Sequence, residues 1–116
     1  MGKPKFLDDP AFKFLRLGEW QRFHQAIEER KTVDFTGADL RGVDFRNVNV
    51  GKLILRDSYL RDADLRGCDL RGVDMAGASI HGAKISGTYF PLELSAAEIR
   101  MSLRHGTRLR VPPAKE

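Results

Sequence analysis

Between residues 33 and 92 a large apolar side chain falls at every fifth position: Phe35, Leu40, Phe45, Val50, Leu55, Leu60, Leu65, Leu70, Met75, Ile80, Ile85 and Phe90. Neither regular element keeps time in fives. Five residues advance an α-helix by about 500°, which scatters Leu65, Leu70 and Met75 around its circumference. In a strand, five is an odd step and sends successive leucines to opposite faces. The chain must therefore turn once per repeat.

A second inward row stands two residues before each of these positions. It reads Val33, Ala38, Val43, Val48, Leu53, Ser58, Ala63, Cys68, Val73, Ala78, Ala83 and Thr88, small or apolar throughout. Inward residues two apart imply a short extended segment with its middle residue pointing out. That middle row is polar at Asp34, Asp39, Asp44, Asn49, Asp64, Asp69 and Asp74. The last slot is mostly glycine, for example Gly67 and Gly72, as a corner needing left-handed backbone requires. A chain that turns the same way at every corner winds around its own apolar rows, which makes a solenoid. The twelve central residues are its expected core, and the register runs unbroken from 33 to 92.

The unit seen in "ADLRG", "CDLRG" and "VDMAG" resembles the pentapeptide-repeat family. The resemblance implies an all-β solenoid: a right-handed quadrilateral β-helix with four pentapeptides to a coil, hence about three coils here. Residues twenty apart would then stack, placing Phe35 over Leu55 and Met75, and Phe45 over Leu65 and Ile85. The wider chain, including "FLDDPAFKFLRLG" and "SIHGAKISGTYFP", is similar to small bacterial pentapeptide-repeat proteins of unknown role. Family members often dimerise end to end through a C-terminal element, so a homodimer is an expectation.

Open solenoid ends need covering, and short α-helical segments are expected on both flanks. The chain divides into an N-terminal helical cap (1–32), the repeat array (33–92), and a C-terminal helical cap with a basic tail (93–116), all in one folded unit. Asp9 before Pro10 reads as an N-cap and first helical residue, and Gly18 ends that helix. Trp20, Phe23 and Ile27 then share a helical face. At the other end Ser95 and Glu98 form a capping box for a helix that keeps Ile99 and Leu103 together and stops at Gly106. Ile54 and Tyr59 occupy the outward slot where Asp is usual, which places them beneath a flank or in a dimer contact.

The formal net charge is +4, but it is not spread evenly. Residues 1–32 carry seven Lys/Arg against five Asp/Glu, residues 33–92 eight against eight, and residues 93–116 five against three. A basic footprint over the whole molecule, expected of an electrostatic nucleic-acid binder, is missing from this distribution. Arg41, Arg46, Arg56, Arg61, Arg66 and Arg71 all follow the central residue. On four-sided stacking, Arg41, Arg61 and His81 form one file, a candidate grip for an acidic partner. Most of these arginines stand two residues after an aspartate, so much of the ladder neutralises itself. Arg100, Arg104, Arg108 and Arg110 are less compensated and form a second candidate contact. Arg104 and Arg108 also match the arginine half of a cyclic-dinucleotide-binding PilZ motif, whose D/N-x-S-x-x-G half is missing.

Little else carries chemistry. His24, His81 and His105 lack the spacing of a metal site, and Cys68 falls in an inward slot as a core residue. No nucleophile elbow, Walker loop or dinucleotide fingerprint is present. The expectation is a non-enzymatic protein-interaction or scaffold module with no cofactor, no metal, no small-molecule substrate and no membrane contact. Cytoplasmic residence is the default expectation, given no long apolar run and an N-terminus, "MGKPKFLDDP", without a signal-peptide core, and the single cysteine agrees with a reducing compartment. Two alternatives remain: a gyrase or topoisomerase modulator like the quinolone-resistance members of the family, and a nucleic-acid binder acting through the basic C-terminal cap.

Overall fold

In the computed structural model, which describes residues 2–113, every repeat turns at the corner that its glycine slot implies. The N–H of each second-row residue donates to the carbonyl of the preceding central residue, as Ala63 does to Leu60 and Cys68 to Leu65, both at 3.0 Å. A four-residue turn with its third residue at positive φ is type II, and Gly67 (φ 75°) and Gly72 (φ 80°) supply that conformation without a Cβ penalty. Asp57 and Asp62 take the same left-handed backbone at φ 56° and 60°, a conformation that aspartate tolerates better than most residues.

The outward Asp or Asn completes the corner. Asp44 Oδ1 accepts the N–H of Arg46 at 2.9 Å, Asp69 Oδ1 that of Arg71 at 3.1 Å, and Asn49 Oδ1 that of Gly51 at 3.0 Å. These are Asx turns, which explains why a short polar acceptor recurs at this slot.

Four such corners bring the chain back beside itself after twenty residues. Parallel bridges join Asp39 to Tyr59, Tyr59 to Ser79, Asp44 to Asp64, Asp64 to Lys84 and Asp69 to Tyr89. Inter-turn backbone bonds are short, as from Phe45 N to Asp64 O and Leu65 N to Lys84 O, both 2.9 Å. Among the described residues, extended strand in the strict sense is confined to β1 (Val33–Asp34) and its parallel partner β2 (Leu53–Ile54). Elsewhere single bridges between turns do the pairing.

Ten of the twelve central residues, from Phe35 to Ile80, are buried, most of them completely. Each such side chain contributes about 1.5–3 kcal/mol relative to exposure. Ile85 and Phe90 depart from the expected core, because they are only partly buried. No further turn stacks above them, and the backbone bonds of the C-terminal cap land on residues 77–82 instead.

The first turn is covered by α1 (Pro10–Arg16) and α2 (Trp20–Ile27). Asp9 caps α1, accepting from Ala11 N at 3.0 Å, and Gly18 follows the helix at φ 76°. Phe12, Leu15, Phe23 and Ile27 pack inward, but Trp20, expected on the same face, is 39% exposed and meets His24 edge-on. It stands at the first position of α2, beyond the reach of the core. Open backbone donors on this end find partners in the flank. Asp39 N donates to Lys5 O at 2.8 Å, and Asn49 N to His24 Nε2 at 2.9 Å. Arg30 forks onto Asp9 at 2.7 and 2.9 Å, tying the end of the helical pair back to its start.

The last turn is covered by α3 (Ala96–His105) and the segment after it. Ser95 caps α3 by accepting from Glu98 N at 3.1 Å, and Gly106 ends it at φ 71°. The expected capping box is only half made, because the Glu98 carboxylate turns to Arg110 instead. Ile99 and Leu103 are half-buried, and the most buried helical residue is Ser102, whose Oγ accepts the Ile80 N–H at 3.0 Å. Leu109 completes the edge, exchanging 2.8 Å bonds with Gly77 and Ala78. Among the described residues no helix is long and apolar enough to cross a membrane.

Candidate ligand-binding cleft

The repeat face that carries Asp39, Tyr59 and Ser79 is extended at both ends by the flanks. Lys5 pairs beside Ala38, and Leu109 pairs beside Gly77 and Ala78, so both termini of the described chain run along one side of the array. Between this face and the end of α3 lies a cleft of about 1040 Å³. Four arginines line it, Arg41, Arg61, Arg108 and Arg110, together with His81 and His105. No carboxylate is among the described lining residues.

Arg41, Arg61 and His81 come from the same slot of three successive turns. Gly42 N bonds Arg61 O at 2.8 Å and Asp62 N bonds His81 O at 2.9 Å, which sets the rungs about 4.8 Å apart. The opposite wall comes from the segment after α3. Arg108 is held in place: its guanidinium donates to Gly77 O at 2.9 Å and to the Tyr59 hydroxyl at 3.0 Å, and lies 5.3 Å from the Tyr59 ring centre. The Tyr59 hydroxyl in turn donates to Gly2 O at 2.6 Å, so this side chain sits under both flanks.

The arginines differ sharply in how they are compensated. Arg41 forks onto Asp39 at 2.9 and 2.6 Å, Arg66 onto Asp64 at 3.0 and 2.7 Å, and Arg71 onto Asp69 at 2.9 and 2.8 Å. Arg46 does the same to Asp44 and also reaches Asp64 at 3.3 Å. The paired guanidinium of Arg66, with Arg46 behind it, holds the Asp64 carboxyl down at about 2, and the Arg71 fork does the same for Asp69. Asp39 is lowered by Arg41, with Arg16 adding to the effect from α1. Glu98 is lowered by its fork with Arg110.

Two repeat arginines follow a residue other than aspartate. Arg56 stands after Ile54 and reaches across to Asp74 at 3.1 Å. Arg61 stands after Tyr59, faces Ser79 and His81 on the next turn, and among the described residues makes only a 3.8 Å approach to Asp62. Its guanidinium is therefore the cation in the cleft with donors to spare.

Of the residues singled out from the sequence, Arg41, Arg61, Tyr59, Arg108 and Arg110 meet in this cleft. Arg100 and Arg104 are exposed on α3 and lie outside its lining, as does Ile54, half-buried on β2. Pro4, Met101 and His105 line the cleft without having been expected. They belong to flanks whose docking no repeat pattern encodes. The special position of Arg61 did have a sequence signal: tyrosine stands where the repeat normally supplies the neutralising carboxylate.

Cys68 sits inside, 6% exposed, its thiol donating to Phe45 O at 3.3 Å and pushed up to about 11 by burial. A buried thiol of this kind is a packing residue.

A parallel return every twenty residues, built from five-residue corners, defines a repeat protein of stacked turns. The pentapeptide-repeat pattern matches the chain in eight copies over residues 32–50 and 54–90, and the chain belongs to the pentapeptide-repeat family. The three residues left out are the corner at Gly51 and Lys52 with the strand residue Leu53, which still points inward at 3% exposure. No curated protein matches the chain at a significant level.

Proposed function

We propose that this chain is a non-enzymatic protein-interaction module of the bacterial cytoplasm: a right-handed quadrilateral β-helix of about three coils, closed by helical caps. Family membership and the twenty-residue parallel pairing support the solenoid. The observation that carries the function is the cleft, where arginines from two coils and from the C-terminal segment converge with no carboxylate among the described lining residues, although Arg41 and Arg110 pair with Asp39 and Glu98 beside it. Such a surface of guanidinium donors suits the binding of an anionic partner. The single cysteine, buried and outside any disulfide, suits a reducing compartment.

Two other readings fare less well. A gyrase modulator that imitates duplex DNA needs a strongly negative array, whereas the Asp–Arg forks leave these outward faces near neutral. On the C-terminal cap Arg110 is forked to Glu98 and Arg108 donates to Gly77 and Tyr59, which leaves Arg100 and Arg104 as its exposed arginines without a fork among the described residues. The test is affinity capture of the intact protein from bacterial lysate with and without nuclease. A nuclease-resistant protein partner is expected. Capture that nuclease abolishes overturns the reading in favour of nucleic acid, and gyrase subunits among the captured proteins revive the topoisomerase alternative.

A further inference from the structure

The cleft also constrains what kind of partner segment it takes. Its cationic file, Arg41, Arg61 and His81, spans roughly 10 Å over three rungs about 4.8 Å apart. An extended peptide repeats its side chains on one face every 6.5–7 Å or so, so two alternate residues cover this file. Arg61 presents a planar fork whose donors are not consumed, and bidentate pairing with a carboxylate is the geometry a guanidinium favours. The walls are mixed in character: the Tyr59 ring lies under Arg108, and Met101 is 43% exposed. Such walls suit a peptide bearing apolar side chains between its acidic ones better than a bare phosphate chain.

Charge placement separates a peptide from a nucleic acid. A duplex presents a charge about every 1.7 Å, and tight binding draws on roughly six to ten phosphate contacts along a basic track. Here the arginines outside the cleft on Asp-bearing repeats, Arg46, Arg66 and Arg71, are forked to their own aspartates. Within the cleft the spare donors are those of Arg61, and the exposed Arg100 and Arg104 lie outside its lining on α3.

Resting on the protein-interaction reading above, we infer that the cleft seats an extended Asp/Glu-rich peptide segment of the partner, with the Arg61 guanidinium pairing one of its carboxylates. Arg41, already forked to Asp39, and Arg108, anchored to Gly77 and Tyr59, flank that carboxylate and set the field around it. The complex then forms at a fork held only by a 3.8 Å approach to Asp62, and the short Arg41–Asp39 pair stays intact.

The experiment is fluorescence anisotropy at 150 mM NaCl with the full chain and a labelled twelve-residue peptide of alternating Asp and Leu. Three competitors run beside it: the same peptide with Asn for Asp, a single-stranded oligonucleotide, and inorganic polyphosphate. Binding of the acidic peptide and not of its Asn counterpart is expected. Arg61→Gln should weaken it at least tenfold, Arg61→Lys should restore only part of that loss, and Arg46→Gln should leave it unchanged. Arg61 is 61% exposed at its side chain, and thermal melts of each variant show that the fold persists.

Three results overturn the inference: no saturable peptide binding, binding indifferent to Arg61→Gln, or oligonucleotide or polyphosphate binding at least as tightly through the same arginine. A lysate partner that is retained by the Arg61→Gln protein would keep the interaction module and discard this cleft as its contact.

Discussion

Leu65 lies in the middle turn, completely buried, with Phe45 in the turn below and Ile85 in the turn above. Leu65→Ala removes three carbon groups, worth about 0.8 kcal/mol each in transfer from water, or roughly 2.4 kcal/mol. The hole adds a further cost because the neighbouring turns cannot close over it. Their backbones are held in register by bonds from Phe45 N to Asp64 O and from Leu65 N to Lys84 O, both 2.9 Å. The expected loss is therefore about 3–4 kcal/mol, near the middle of the usual range for such truncations. With an unfolding entropy of about 2.1 cal/mol/K per residue, a chain of 116 residues loses about 4 °C of Tm per kcal/mol, so the shift should be about 12–16 °C. The assay is a calorimetric or circular-dichroism melt, paired with urea titration to give the free energy directly. Ile85→Ala serves as the internal reference, since Ile85 is only half-buried at the uncovered corner of the last turn and should cost about half as much. A Leu65→Ala loss under 1 kcal/mol would refute the stacked-turn core. Equal losses at both sites would show that something covers the last turn in solution, and light scattering then tests whether it is a second copy of the chain.

Acid should expose the Asp64 fork. Its folded-state value of about 2 lies below the usual 3.8, so it contributes about 2 kcal/mol above pH 4, which is lost as the pH falls through 2. Asp64→Asn should flatten the stability profile in that window, and an unchanged profile would show that the fork contributes nothing. Ser102→Ala strands the Ile80 N–H in a fully buried site and should cost about 1–3 kcal/mol in urea titration, whereas a neutral result would mean that water replaces the hydroxyl. Cys68, with its thiol raised to about 11, should resist a colorimetric disulfide reagent at pH 8 until denaturant is added. Fast labelling of the native protein would contradict its burial.

The five-residue rhythm is legible because it is a local property: a corner made by Leu-x-Gly, an Asx acceptor immediately before the turn, and two inward side chains per side. Each is specified within a few residues, so turn type, inward rows and the need for caps can be read from the chain itself. Departures from the rhythm are legible too, and Tyr59 before Arg61 marked the unforked arginine. The return after exactly four corners is not contained in the spacing, since it depends on how much each corner turns and which backbone edges then meet. Tertiary structure also decided which turns the caps close. Ile85 and Phe90 carry the same pattern as Leu65 and Leu70, yet stay half-exposed because α3 and Leu109 settle on residues 77–82. The cleft has the same origin. Arg41 and Arg61 were visible as a file in the repeat, but Arg108, Arg110 and His105 join them only because a non-repetitive segment adds itself to one edge, and edge pairing leaves no periodic mark in a sequence.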